Sequence, residues 1–157
     1  MKILANLSKG QLFINGAVFK ASCDVRSLAN GRRGSDEVVR TFPGNEPYDP
    51  RPFPKGLWRI TGVEWQKEKG FSYSTYGPVK IRTNAYHTVN VWELDKYGDY
   101  LRETEKQVRD ECYWLHYAVS LTTWGCVRLA SAEDAVMLGR IIEQYLGRGE
   151  IVELEVV

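Results

Sequence analysis

The sequence predicts a single, mainly β domain with one α-helix late in the chain. Three stretches carry that prediction: Gln11 to Lys20 reads as a β-hairpin, Ser131 to Leu146 as a capped helix, and the closing residues as a half-buried strand. A length of 157 residues suits one domain.

The hairpin is signalled by Asn15-Gly16 inside Q-L-F-I-N-G-A-V-F-K, because both residues accept the positive φ that a two-residue turn needs. Ser22 to Pro54 holds N-G-R-R-G and F-P-G-N-E-P-Y-D-P-R-P-F-P and reads as a long surface loop stiffened by proline. Gly56 to Val63 alternates Leu57, Arg59 and Thr61 against Trp58, Ile60 and Gly62, as a strand does. Further strands are predicted at Pro78 to Arg82 and Thr88 to Leu94. The polar stretch Asp95 to Asp110 reads as a short exposed helix whose charges form a solvated face. Cys112 to Ser120, aromatic and β-branched, reads as a buried strand.

The helix has Ser131 as N-cap with Asp134 three residues on, the acidic partner of a capping box. Ala135, Leu138, Ile142 and Tyr145 fall on one helical stripe, and Gly147 is placed to end the helix in the left-handed conformation. After it, Val152, Leu154 and Val156 alternate with Glu153 and Glu155.

Composition excludes several classes. A net charge of +1 argues against a nucleic-acid partner held by bulk electrostatics. No stretch approaches 18 apolar residues, so no transmembrane helix is expected, and the apolar patch in M-K-I-L-A-N-L-S-K-G is too short for a signal-peptide core. Cys23, Cys112, Cys126, His87 and His116 lack the close spacing of a zinc cage, so no metal is expected. The odd cysteine count leaves open a Cys23–Cys112 disulfide and requires at least one free thiol. The 5 Trp and 9 Tyr suit a core, and such rings also line grooves for extended ligands.

Candidate chemistry centres on Cys126, in T-T-W-G-C-V-R-L between a strand and the capped helix. Gly125 lets the backbone approach a substrate carbonyl and leaves N–H groups to face a developing oxyanion. A thiol nucleophile needs a base, and His116 lies ten positions earlier on the preceding strand, where a tight turn can bring the two side chains face to face. The bland alternative is a buried structural Cys beside a core His.

The run L-H-Y-A-V-S-L-T-T-W-G-C-V-R-L-A-S-A-E-D-A-V-M-L resembles the signature of L,D-transpeptidases of the YkuD type. His116 matches the base of that family. Thr123, Gly125, Cys126, Val127 and Arg128 match the segment around its nucleophile, and Asp134 and Ala135 match its helix. P-F-P-K-G-L-W-R-I and the closing R-G-E-I-V-E-L-E resemble two other segments of the family. Two departures stand out: Trp124 occupies the place of the family's usual His before Gly-Cys, and the gap from His116 to Cys126 is shorter.

The resemblance implies a YkuD-like β-sandwich and a two-step acyl transfer on a peptidoglycan stem peptide. Cys126 would form the thioester, His116 would act as base and then acid, and backbone groups at Trp124, Gly125, Cys126 and Val127 would shape the oxyanion turn. Arg128 would either hold a substrate carboxylate or orient the turn through backbone carbonyls. Thr122, Thr123 and Ser120 would orient His116 or satisfy local backbone. Tyr113, Trp114 and Trp124 would form core or groove wall, and His87 would contact substrate or sit at the surface. The expected protein is a monomer without cofactor, acting at the bacterial cell wall or periplasm; with no leader of the ordinary kind in the sequence, a phage origin or another export route would bring it there. Two rival readings are a catalytically inactive peptidoglycan-binding module on the same fold and an unrelated cysteine hydrolase.

Overall fold

Asn15 and Gly16 adopt φ of 48° and 79°, and the turn they make joins two antiparallel strands, β2 (Gln11–Ile14) and β3 (Ala17–Ser22). The computed structural model describes residues 1–25, 46–66, 71–120, 123 and 125–157. Before the hairpin lies β1 (Lys2–Asn6). After it come β4 (Gly56–Trp65), α1 (Phe71–Tyr76), β5 (Val79–Thr83), β6 (His87–Leu94), β7 (Tyr100–Asp110), β8 (Trp114–His116), β9 (Val127–Leu129), α2 (Ala132–Gly147) and β10 (Glu153–Val156). Eight of these strands close into a barrel in the order β1-β10-β4-β5-β8-β9-β3-β2, while β6 and β7 form a separate two-stranded sheet.

Alternation along each strand sends one face inward. Ile3 and Ala5 of β1, Leu12 and Ile14 of β2, Val79 and Ile81 of β5, and Leu154 and Val156 of β10 are all essentially buried and belong to one core. The chain ends meet there: β1 pairs with β10 in parallel, Ile3 opposite Leu154. Closure removes the exposed edges that an open sheet of this size would present.

The helix α2 starts where its cap dictates. The Ser131 hydroxyl accepts the Asp134 N–H at 3.1 Å, satisfying one of the orphan donors of the first turn. Its buried stripe is Ala135, Leu138, Gly139 and Ile142, packed on β4, β5 and β9. Gly139 permits a close approach, since a Cβ there would lie 3.2 Å from the Trp65 ring and 3.3 Å from Val79. The helix runs through Gly147; it is Gly149, with φ of 76°, that takes the left-handed turn expected of Gly147. The Arg148 N–H still reaches the Gln144 carbonyl, so the helical pattern outlasts the first glycine.

Two other expectations are corrected. Tyr100 to Asp110 is not helical but an 11-residue strand paired with β6. The reason is local: the Asp95 carboxylate accepts the Tyr97 and Asp99 N–H groups, and Gly98 takes φ of 81°, which turns the chain back. Charges that suggested a solvated helix face instead lie on an exposed ribbon, where Arg102 pairs with Glu93 across the strands. The Cys112 to Ser120 strand is real but short, confined to Trp114–His116.

Much of the predicted loop, residues 26–45 with its N-G-R-R-G segment, lies outside the described residues. The part that is described is surface only in places: Arg51 and Pro52 are exposed, while others turn inward. Tyr48 and Phe53 are buried; Tyr48 bridges to Val91 of the ribbon, its carbonyl accepts the Tyr100 hydroxyl, and Phe53 joins the barrel core. Residues 46–53 thus form a strap between ribbon and barrel.

Replacing Ser131 by Ala is expected to lower stability by about 1 kcal/mol, the usual worth of such a cap. A urea melt reads it as a lower midpoint at unchanged slope, and Ser131→Asp should restore most of the loss.

Candidate functional site

The site is set by the pairing of β8 with β9. These short strands run parallel, with Leu115 opposite Val127 and His116 opposite Arg128. Leu115, Val127 and Leu129 point into the core and have no exposed surface. Alternation therefore puts Trp114 and His116 of β8 and Arg128 of β9 on the other face; Cys126 precedes β9, and its sulfur lies against the β8 backbone. Cys126 immediately precedes β9, whose Arg128 pairs with His116, so the thiol and the imidazole belong to neighbouring chain segments.

Both groups are recessed, His116 at 4% exposure and Cys126 at 7%. His116 Nδ1 lies 3.2 Å from the Tyr117 carbonyl. A carbonyl only accepts, so Nδ1 carries the proton and Nε2 presents a lone pair. Burial pushes the His116 pKa below its ordinary 6.5; the Tyr117 bond works the other way, and the nearby Lys80 and Arg128 charges lower it further. The imidazole is neutral at pH 7 and able to take a proton. At Cys126, the Trp114 N–H donates to the sulfur at 3.4 Å, which supports negative charge there, and the thiol faces the Cys112 carbonyl at 3.5 Å.

The turn before Cys126 is tightly held. Gly125 has φ of 115°, and a Cβ on it would lie 2.5 Å from the Arg51 carbonyl and 2.6 Å from the Tyr113 ring. The sequence suggests this glycine opens the backbone to a substrate; in the structure the strap and Tyr113 fill that side. Thr123 donates its hydroxyl to the Cys126 carbonyl at 2.6 Å and accepts the Gly125 N–H at 3.3 Å. Thr123 thus satisfies local backbone. Tyr113 is fully buried, edge-on to Phe53 and His87, and supports the turn from beneath. Val127 faces the core. Arg128 donates Nε–H to the Ala118 carbonyl at 2.8 Å, so its backbone contact holds the segment after His116. His87 is half-buried and hydrogen-bonded to the Pro52 carbonyl at 2.9 Å, tying ribbon to strap. Ser120 is exposed, and Trp124 and Thr122 lie outside the described residues.

Several neighbours carry no local sequence signal. All three cysteines are free. Cys23 sits behind the turn, its thiol 3.4 Å from the Gly125 carbonyl and its sulfur accepting the Phe53 N–H at 3.2 Å; burial raises its pKa, so it is a protonated, structural thiol. Tyr76 packs edge-on to His116 at 5.3 Å between ring centroids. Lys80, opposite His116 on β5, lies over the Tyr76 ring at 4.2 Å. These residues come from segments distant in the chain, and only the folded structure reveals them. Among the described residues, no helix is long and apolar enough to cross a membrane, and no three His, Cys, Asp or Glu side chains gather as a metal set would.

No family model matches the chain, and no curated protein does. Among solved structures, the chain is similar to that of Bd1075 from Bdellovibrio bacteriovorus, at 14% identity and a TM-score of 0.40. The match covers 99% of this chain but 46% of that one, so the chain spans less than half the length of that protein.

The His116 environment yields a pH prediction. The unfolded chain binds a proton near 6.5 that the folded chain refuses until lower pH, so stability is full above that value and falls as pH drops below it. Urea melts on either side of that value should show the slope, and His116→Gln should flatten it while leaving acid loss due to carboxylates in place.

Proposed function

We propose that the protein is a cysteine acyltransferase of the L,D-transpeptidase kind, acting on peptidoglycan stem peptides through a thioester. The observation that carries this reading is the placement of the Cys126 sulfur against β8, where it accepts the Trp114 N–H two residues before His116, whose Nδ1 is tied to the Tyr117 carbonyl so that Nε2 keeps its lone pair. On this reading the fold is the family's β-sandwich, its two layers being opposite walls of the barrel.

The reaction then runs in two steps. Nε2 of His116 takes the Cys126 proton, and the thiolate attacks an amide carbonyl of the stem peptide. Negative charge on the carbonyl oxygen is met by backbone N–H groups of the turn; the Gly125 N–H joins them by leaving its long bond to Thr123. The imidazolium returns its proton to the leaving amine, which gives a thioester on Cys126. An amine or water then takes the acyl group, giving a cross-link, an exchanged peptide or a trimmed one.

A second reading is a peptidoglycan-binding module that keeps the fold without the chemistry. The recessed position of both reactive side chains favours it.

Purified protein mixed with a disaccharide tetrapeptide separates the two. Mass spectrometry is expected to show trimmed or cross-linked products and an acyl adduct on Cys126. Cys126→Ala should give none, and His116→Ala should slow the reaction by about a hundredfold or more. Unchanged substrate with retained binding would establish the module instead. Thiol labelling gives an independent view: a carbapenem should react at Cys126 ahead of Cys23 and Cys112, and equal reaction at all three would count against an activated nucleophile.

A further inference from the structure

His116 does not stand alone on its face. Strand register lines up Glu64 of β4, Lys80 of β5, His116 of β8, Arg128 of β9 and Ser22 of β3 in one row across the barrel wall. The next row carries Arg82 beside Trp114, with Cys126 beyond it. Lys80 and Arg128 therefore flank the imidazole on either side, and Arg82 flanks the ring that covers the thiol's strand.

Lys80 is not an ordinary surface lysine. Its side chain is 12% exposed and held between two rings, with Nζ 4.2 Å from the Tyr76 centroid and 5.3 Å from that of Trp114. Its anionic neighbour, Glu64, is 3.9 Å away and is more closely engaged by Arg82. Three cations thus share one carboxylate among the described residues of these rows, which leaves an excess of positive charge beside the base. The excess continues past Arg128 into a cleft of about 280 Å³ lined by Lys9, Lys20 and Ser22.

A cation held in this way usually has an anion to meet, since aromatic walls alone compensate lost hydration incompletely. We propose that Lys80 and Arg128 form a carboxylate subsite around His116, so that the acyl donor carries an anionic group within reach of the Cys126 thiol. This rests on the acyl-transfer reading of Cys126 and His116. Lys80 is a specificity-determining residue in it, and Arg128 contributes the guanidinium nitrogens beyond the Nε that holds Ala118. The same cations disfavour an imidazolium in the empty site, and a bound carboxylate relieves that opposition at the moment His116 must take a proton.

Alkylation tests the subsite without any assumption about the natural substrate. Iodoacetate carries a carboxylate and iodoacetamide does not, and peptide-level mass spectrometry reads the rate of each at Cys126. The iodoacetate-to-iodoacetamide ratio at Cys126 is expected to be about tenfold higher in the folded protein than in urea, the order of one charge-assisted contact. Cys112 should show no such gain. Lys80→Met, which keeps an unbranched chain between the rings, should bring the ratio down towards its unfolded value, and Lys80→Arg should retain it. The neutral reagent reports accessibility in each variant, so a disturbed fold changes both rates and leaves their ratio interpretable. A ratio indifferent to folding, or to Lys80→Met, overturns the subsite while Cys126 still reacts. Failure of both reagents to label Cys126 overturns the acyl-transfer reading and the subsite with it.

Discussion

The register between β8 and β9 is the constraint on which the site depends. Two strands of three residues each fix His116 opposite Arg128 and place Cys126 just ahead of β9. Their inward partners, Leu115, Val127 and Leu129, have no exposed surface, and burying side chains of this kind contributes about 1.5–3 kcal/mol each. A slip of one residue in β9 would turn Val127 and Leu129 outward and Arg128 inward, at a cost of several kcal/mol. Core packing thus enforces a surface arrangement. On the proposed reading, the chemistry borrows its geometry from residues that never touch a substrate.

What hydrophobic packing sets coarsely, the turn sets finely. Gly125 can be no larger, because the Arg51 carbonyl and Tyr113 already occupy the space of a side chain. Thr123 clips both ends of the turn through one hydroxyl, and Cys23 meets it from behind. Arg51 and Phe53 belong to the strap that the β6–β7 ribbon holds down through Tyr48 and Tyr100. The ribbon reaches the site along the chain as well, since Asp110 at its end is buried and accepts the Cys112 N–H just ahead of β8. A site organised this way has little reorganisation left to do, and the same tightness keeps both reactive groups recessed.

Sequence made visible whatever was local. The Asn15-Gly16 hairpin, the Ser131 cap and the Ala135, Leu138 and Ile142 stripe rest on contacts within a few residues, and the structure has all of them. The strand at β7 was hidden because its charges fit a helix face equally well, and only pairing with β6 distinguishes the two. Gly147 and Gly149 are both within the range where a helix can stop, and the extra turn hydrogen bond at Arg148 favours the later one. Barrel closure, the buried strap and the roles of Cys23, Lys80 and Tyr76 depend on contacts between distant segments, and no window along the chain contains them.

The electrostatics of His116 tie these levels together. Desolvation already disfavours the imidazolium, and two cations flank the ring. The hydrogen bond to the Tyr117 carbonyl offsets part of that desolvation, and Lys80 and Arg128 each add a smaller effect that lowers the pKa again. Burial, the largest of these effects, outweighs the carbonyl, so the imidazole rests neutral at pH 7. On the proposed reading, proton transfer then waits for something that changes the field, and an anionic substrate is the simplest agent able to do so. Reactivity would be coupled to occupancy: the thiol stays quiet in the empty site, and the group that identifies the substrate also releases the base.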